Sequence, residues 1–188
     1  MNTGFLAMAS LGCLWLLAPS SPLPWELSLL EFFARSRSPG LDRAMAALTW
    51  LGSLWLLLPL SLALFLGGRW RPMAALVATT LIGHAAKLLI LRPRPQVFGA
   101  LDSLAAGPAF PSLHTGQAAA FLLALALVRG RRSGFGLAAL GVLVVAWSRL
   151  YLQVHFPADV LAGALLGATV ALGLHRLWPA EPRATVAG

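Results

Sequence analysis

The sequence predicts an all-α protein, a polytopic membrane helix bundle with six transmembrane helices. Its 188 residues are 59% hydrophobic and only 11% charged, whereas about 25% of residues are charged in a typical soluble domain. The mean hydropathy is +0.79. Several apolar stretches approach or exceed the roughly 20 residues that cross a bilayer as a helix. We expect a single membrane domain over residues 1–178 and a short, flexible cytoplasmic tail over 179–188.

Clusters of Pro, Gly and Arg separate the apolar stretches, as expected at the ends of spans. The predicted spans cover residues 4–18, 46–67, 73–91, 114–128, 134–152 and 157–178. The first span has the length of a signal-peptide core, but no basic residue precedes it, so we interpret it as a short membrane helix. It contains Cys13, the only cysteine, which excludes an intrachain disulfide.

Between the first two spans, residues 24–37 mix apolar and charged side chains. The pattern fits a helix that lies in the membrane interface, and it fits a structured loop equally well. Ser38-Pro39-Gly40 ends the segment.

The net charge of +8 is attributed to topology rather than to nucleic-acid binding, because most arginines flank apolar spans. Alternate connections contain Arg69, Arg71, Arg129, Arg131, Arg132, Arg176 and Arg183. The opposite set contains Arg35, Arg37, Arg43, Arg92, Arg94 and Arg149. The last three belong to the polar clusters described next, and without them the first set is clearly more basic. Since basic loops face the cytoplasm, both termini are expected there.

The first polar cluster ends the third span. Lys87 lies in an apolar helix, where a cation is costly and indicates either function or a side chain that extends to the interface. Pro93 and Pro95 stop the helix and stiffen the turn that contains Arg92 and Arg94. His84, three residues before Lys87, is interpreted as a partner of Lys87 or as a packed histidine bonded to a neighbouring helix.

The second cluster, Pro111-Ser112-Leu113-His114, opens the fourth span. A helix start offers free backbone N–H groups and the positive end of the dipole, which together bind anions. Ser112 is placed to cap this helix. His114 has no comparable structural explanation, although a satisfied interfacial histidine is the alternative.

The third cluster joins the fifth span to the sixth and contains Ser148, Arg149, His155 and Asp159. The last two are four residues apart and share one helical face, where a carboxylate fixes an imidazole tautomer. A purely structural His–Asp pair is the alternative. With six alternating helices, all three clusters fall on the same membrane face. Converging cations and helix starts suit phosphate, whose transfer depends on charge stabilisation.

The clusters resemble the motifs of the type 2 phosphatidic acid phosphatase superfamily. That family carries Lys-x6-Arg-Pro, Pro-Ser-Gly-His and Ser-Arg-x5-His-x3-Asp. Lys87 with Arg94-Pro95 fits the first spacing, and Ser148-Arg149 with His155 and Asp159 fits the third. The second motif matches except at Leu113, where the family usually has glycine.

The resemblance implies that His155 attacks phosphorus and forms a phosphohistidine, with Asp159 orienting it. His114 is expected to protonate the leaving oxygen and then to activate water. Phosphate-binding residues implied by the motifs are Lys87, Arg94, Ser112, Leu113 and Arg149. No cofactor and no metal are expected: two histidines and one aspartate can in principle bind zinc, but the neighbouring cations repel a dication.

The function predicted is hydrolysis of a lipid phosphate or diphosphate in a bacterial inner membrane, at its outer face. Undecaprenyl diphosphate is ranked first, then phosphatidylglycerol phosphate, phosphatidic acid and lipid A phosphate. The bilayer and this lipid are the expected partners, and nucleic acid is not. Two alternatives stay open: transfer of the phosphate to a lipid or sugar acceptor, and a non-enzymatic transporter or binder of anionic lipid.

Overall fold

The structure, a computed structural model, describes residues 21–96, 98–101 and 106–178. The predicted first span, with Cys13, and the predicted tail lie outside the described residues. The helices are α1 Pro24–Arg35, α2 Pro39–Leu48, α3 Leu54–Leu66, α4 Trp70–Ile90, α5 Leu113–Arg129, α6 Arg132–Tyr151 and α7 Pro157–Leu177, with a 3-10 turn at Thr49–Gly52. Within these ranges no strand occurs, and the all-α prediction is confirmed.

Four stretches are long and apolar enough to cross a membrane: Pro39–Leu66, α4, α6 and α7. The apolar helix α5 is shorter, with 17 residues. These five correspond in order to the second to sixth predicted spans. The polytopic membrane bundle is therefore confirmed.

The prediction of one continuous helix over 46–67 is wrong in detail. Helix α2 begins at Pro39, and the 3-10 turn separates it from α3. The turn brings the backbone against α5, since a Cβ added at Gly52 would lie 2.5 Å from the carbonyl oxygen of His114. The break therefore comes from a close approach to the start of α5, which hydrophobicity does not encode.

Residues 24–35, for which the sequence left a helix or a loop open, form helix α1. One face of α1 buries Leu30 and Phe33 against Tyr151 and Leu152 at the end of α6. The opposite face exposes Phe32. The amphipathic pattern therefore anchors α1 across one end of the bundle.

Helix α5 is central and packs against α4, α6 and α7. Its contact with α7 depends on glycine: a Cβ added at Gly163 would lie 2.3 Å from Ser112 O, and one at Gly167 would lie 2.1 Å from Gly116 O. Small residues allow membrane helices to approach closely in this way. The start of α5 is thereby held against the start of α7.

Candidate active site

The three polar clusters meet at the end of the bundle that α1 covers. Ser112 N donates to Asp159 O at 2.9 Å, which joins the second cluster to the third. Arg94 Nη1 donates to Val154 O at 2.8 Å, which joins the first to the third. Helices α4 and α6 end here, and α5 and α7 begin here, as the alternation of the spans predicts.

A cavity of about 700 Å³ lies between these helix ends. Six of the eight predicted site residues line it: Lys87, Arg94, Leu113, His114, Arg149 and His155. Trp55 of α3 and Leu88 of α4 also line it, and they are 84% and 74% exposed on the outside of the bundle. The cavity therefore opens sideways between α3 and α4, toward the surface that faces lipid.

His155 lies in the short connection between α6 and α7 and is 2% exposed. Its Nε2 is 3.3 Å from Arg94 Nη1, and its Nδ1 is 3.6 Å from Asp159 Oδ2. Because a guanidinium only donates, Nε2 carries the lone pair and Nδ1 the proton in the neutral ring. The separation from Asp159 is longer than a hydrogen bond, and such contacts often tighten only when substrate binds.

The surroundings of His155 favour its neutral form. Burial lowers its pKa well below the usual value of 6.5, and the positive charges of Arg149, Arg94 and Lys87 lower it further. A neutral imidazole keeps the lone pair that a nucleophile needs. The same positive charges are suited to attract an anion such as phosphate.

Backbone carbonyl groups hold two of the cavity cations in place. Lys87 Nζ donates to the carbonyl oxygens of Pro108 and Ala109. Arg94 donates to Ala106 O at 3.0 Å and to Gly107 O at 3.0 Å. Cations fixed before substrate arrives stabilise transition-state charge without reorganisation.

Arg149 is held by the 3-10 turn. Its Nη1 donates to Thr49 Oγ1 at 2.7 Å, and the side chain is 2% exposed. Thr49 also lines the cavity. In the part of the chain that the structure describes, no three His, Cys, Asp or Glu side chains form a group that could bind a metal.

The side chain of Ser112 does not make the capping bond that the sequence predicted, and the side chain of Leu113 packs away from its own helix. Ser112 occupies the N-cap position of α5, but its side chain makes no capping bond. Instead its Oγ is 3.2 Å from Thr115 Oγ1, behind the cavity wall. The Leu113 side chain packs on α4, where a Cβ added at Gly83 would lie 2.4 Å from Leu113 Cδ2.

Sequence reasoning missed a buried charge network behind His155. Arg92 donates to Asp159 Oδ1 at 2.6 Å and to Glu26 Oε2 at 2.9 Å, and its guanidinium lies over the Phe156 ring. Glu26 is fully buried, although it belongs to a segment for which the sequence predicted an interfacial helix or a structured loop. Its Oε1 accepts from Ala158 N at 3.1 Å.

A local sequence signal for this network exists. Glu26 and Asp159 each follow a proline by two residues and stand at the third position of a helix. Each carboxylate accepts from the backbone N–H of the residue before that proline, Leu23 or Phe156. This return contact is half of a capping box. The repeated Pro-x-acid pattern therefore marks two helix starts, which Arg92 joins.

Two further polar residues line the cavity, His84 and Gln117. His84 Nδ1 donates to Thr80 O at 2.8 Å, within α4 rather than to a neighbouring helix. Gln117 Nε2 donates to Thr80 Oγ1 at 3.0 Å. Thr80 thus joins the two side chains across the interface of α4 and α5.

Comparison with known families explains the clusters. The profile of the PAP2 superfamily matches residues 68–183, which is more than half of the chain and contains all three motifs. The chain belongs to the PAP2 superfamily. It is a polytopic membrane phosphatase of PAP2 type.

Curated PAP2 relatives act on lipid phosphates by name. The chain is 36% identical over 123 residues to decaprenylphosphoryl-5-phosphoribose phosphatase of Mycobacterium tuberculosis, covering 62% of this chain and 67% of the relative. It is 36% identical to the undecaprenyl-diphosphatase BcrC of Bacillus subtilis, covering 50% of this chain and 49% of the relative.

Solved PAP2 structures share the architecture. A transmembrane PAP2-type phosphatidylglycerolphosphate phosphatase from Bacillus subtilis superposes with a TM-score of 0.80 at 24% identity, covering 93% of this chain and 94% of that one. LpxE of Aquifex aeolicus gives a TM-score of 0.68 at 26% identity, with 81% and 96% covered. The low identity to the first makes it evidence of fold alone.

Proposed function

We propose that this PAP2 protein hydrolyses a polyprenyl diphosphate, such as undecaprenyl diphosphate, at the outer face of the membrane. The observation that carries the proposal is the position of His155: its Nε2 lies beside Arg94, in a cavity that also contains Lys87, Arg149 and His114. A nucleophile, an acid and three cations then surround one phosphoryl group.

The first step transfers the terminal phosphoryl group to the protein. His155 Nε2 forms a P–N bond as the bond from phosphorus to the leaving oxygen breaks. The oxygen departs with its electron pair on the lipid, and His114 gives it a proton. Arg94, Lys87 and Arg149 stabilise the charge on the other phosphate oxygens, while Asp159 stabilises the developing charge on His155.

The second step releases the phosphate. His114 takes a proton from a water molecule, whose oxygen attacks phosphorus as the P–N bond breaks. Inorganic phosphate leaves and His155 regains its lone pair. The backbone N–H groups at the start of α5, including that of Leu113, are suited to hold the phosphate in both steps.

A membrane-borne substrate suits the sideways opening of the cavity. A lipid headgroup reaches His155 from between Trp55 and Leu88 while its hydrocarbon chain stays in the bilayer. The curated relatives support the polyprenyl class, because BcrC is an undecaprenyl-diphosphatase and the mycobacterial relative acts on a decaprenyl-linked phosphate.

The decisive experiment measures phosphate release by purified protein in detergent. The panel holds undecaprenyl diphosphate, phosphatidylglycerol phosphate, phosphatidic acid, lipid A phosphate and a decaprenyl-linked phosphoribose. We expect the highest kcat/KM with undecaprenyl diphosphate and no release by His155→Ala. Full activity of that variant, or a clear preference for another lipid, contradicts the proposal. Labelling with 32P-substrate, quenched in an alkaline denaturant because acid hydrolyses phosphohistidine, should leave phosphohistidine on the wild type and none on His155→Ala.

A further inference from the structure

We infer that His84 and Gln117 form a second phosphate subsite, which binds the phosphate that stays on the lipid when a diphosphate is cleaved. The inference rests on the proposed function, since it concerns the leaving group of that reaction. It names a diphosphate, rather than a monophosphate, as the substrate class to which the cavity is fitted.

Both residues lie deeper in the bundle than the proposed phosphoryl site. Helix α4 runs toward the site and ends at Ile90, whereas α5 begins there and runs away. His84 therefore lies three residues deeper than Lys87, and Gln117 three residues deeper than His114. Three residues advance a helix by about 4.5 Å and return to nearly the same face. Both side chains line the cavity one turn below the proposed phosphoryl site.

The leaving group of the proposed reaction extends toward these two residues. His114 protonates the oxygen that leaves, so the leaving group extends from His114 away from His155. In a diphosphate that oxygen bridges the two phosphorus atoms, and the second phosphate is adjacent to the first. Gln117 shares the helical face of His114 and is the next polar side chain that this phosphate meets.

The hydrogen-bonding atoms of the two side chains suit a phosphate. Thr80 O accepts from His84 Nδ1, and Thr80 Oγ1 accepts from Gln117 Nε2. These bonds fix both side chains. No hydrogen bond among the described residues uses His84 Nε2, and the Gln117 amide has a second N–H. The second N–H of the Gln117 amide can donate to phosphate oxygens, and His84 Nε2 donates to them when a proton from the phosphate or from water is placed on it.

The apolar walls complete the assignment. Leu54, Trp55 and Leu88 line the same cavity, so the hydrocarbon chain that follows the second phosphate leaves through the side opening. In a decaprenyl-linked phosphoribose, the ribose separates the two phosphates, so they are too far apart to occupy the two adjacent positions together. The arrangement therefore fits adjacent phosphates.

The test compares farnesyl diphosphate with farnesyl monophosphate, two substrates with the same tail, in detergent micelles. Wild-type protein should prefer the diphosphate. His84→Ala should lower the ratio of the two kcat/KM values about tenfold, as expected for loss of a charge-assisted hydrogen bond. Gln117→Glu, which keeps the shape but repels an anion, should lower it at least as much. Leu88→Ala, an apolar change in the same cavity, should affect both substrates equally.

An unchanged ratio in both variants, with rates reduced equally for the two substrates, overturns the subsite. So does a wild-type protein that hydrolyses both farnesyl substrates with equal kcat/KM. A melting temperature measured for each variant separates loss of folding from loss of binding, and Gln117→Glu provides a second test if His84→Ala does not fold. Failure of the proposed function is a distinct result, in which wild type and His155→Ala release phosphate equally slowly from every substrate.

Discussion

The chemistry of His155 is controlled by its neighbours. Burial and the charge of Arg149 are the two largest causes of its lowered pKa. A histidine with a lowered pKa stays neutral as the pH falls below the usual value near 6.5. The proposed nucleophile therefore keeps its lone pair over a wider acid range than an exposed histidine does.

This control predicts a pH shift. Arg149→Gln removes a cation, so the pKa of His155 rises and the acid limb of kcat/KM moves to higher pH. Arg149→Lys keeps the charge and should leave the limb near its wild-type position. The measurement is kcat/KM against pH for both variants with one substrate, whose own ionisation is then common to all curves. Identical limbs in the two variants would show that Arg149 does not act on His155 through charge.

Leu113 shows how one departure from a family motif is accommodated. Its side chain occupies the notch above Gly83, so the larger residue on α5 is matched by the smallest residue on α4. The motif comparison identified the departure at Leu113, but not its partner, because residues 30 positions apart give no pairing signal in a single sequence.

Gly83→Ala should disturb this match. The new Cβ would come within 2.4 Å of Leu113 Cδ2, so the leucine side chain must shift. We expect it to turn toward the cavity that it lines and to raise KM several-fold. Placing the glycine of the family motif at position 113, in the double variant Gly83→Ala, Leu113→Gly, should return KM to near the wild-type value. The control is Gly173→Ala in α7, where an added Cβ meets nothing within 4 Å; equal effects of the two alanines on KM would contradict this explanation.

At the scale of elements, α1 is part of the site. It contributes Glu26 to the network behind Asp159, and Gln153 Nε2 donates to Leu30 O at 2.9 Å. The sequence predicted where this segment begins and ends. It could not predict that one of its two acidic residues is buried, because the partner, Arg92, lies 66 positions away.

Two similar substitutions on α1 should therefore differ strongly. Glu26→Gln places an amide donor against Arg92 or Ala158 N–H, and breaking a buried charge pair costs about 3–5 kcal/mol. We expect a large loss of melting temperature, together with reduced kcat because Asp159 loses its support. Glu31→Gln removes an exposed partner of Arg35, worth at most about 0.5 kcal/mol. Thermal unfolding in detergent compares the two variants. Equal melting temperatures would show that the contact of Glu26 with Arg92 does not stabilise the fold.

The 3-10 turn is the element that hydrophobicity predicted least well. The run over 46–67 is apolar on both sides of the break, where the sequence offers only the short signal Gly52-Ser53, with Ser53 capping α3. The turn exists because Thr49 binds Arg149 and Gly52 approaches α5. Both are tertiary contacts between distant parts of the chain, which override local helix preference.

At the scale of the whole molecule, alternation of the spans was sufficient to bring the three clusters together. Basic residues of the alternate connections lie at the other end, where Arg71 donates to the carbonyl oxygen of Trp178. What alternation cannot give is the absolute orientation. That depends on the excess of arginine at one end.

The orientation has a direct test. In a Cys13→Ala background, Leu101→Cys lies at the site end and Arg131→Cys at the opposite end, and both positions are exposed. An impermeant thiol reagent added outside intact cells or spheroplasts should label Leu101→Cys alone. Labelling of Arg131→Cys alone would place the active site in the cytoplasm and exclude an outer-face phosphatase.

The Glu26 contacts also bear on how the protein is made. The carboxylate binds Arg92, 66 residues away, and the backbone of Ala158, 132 residues away. During synthesis α1 precedes both partners, and Ala158 is made only with α7. The Glu26 contacts are therefore completed only after α7 has been synthesised, and the surroundings of His155 cannot be complete before then.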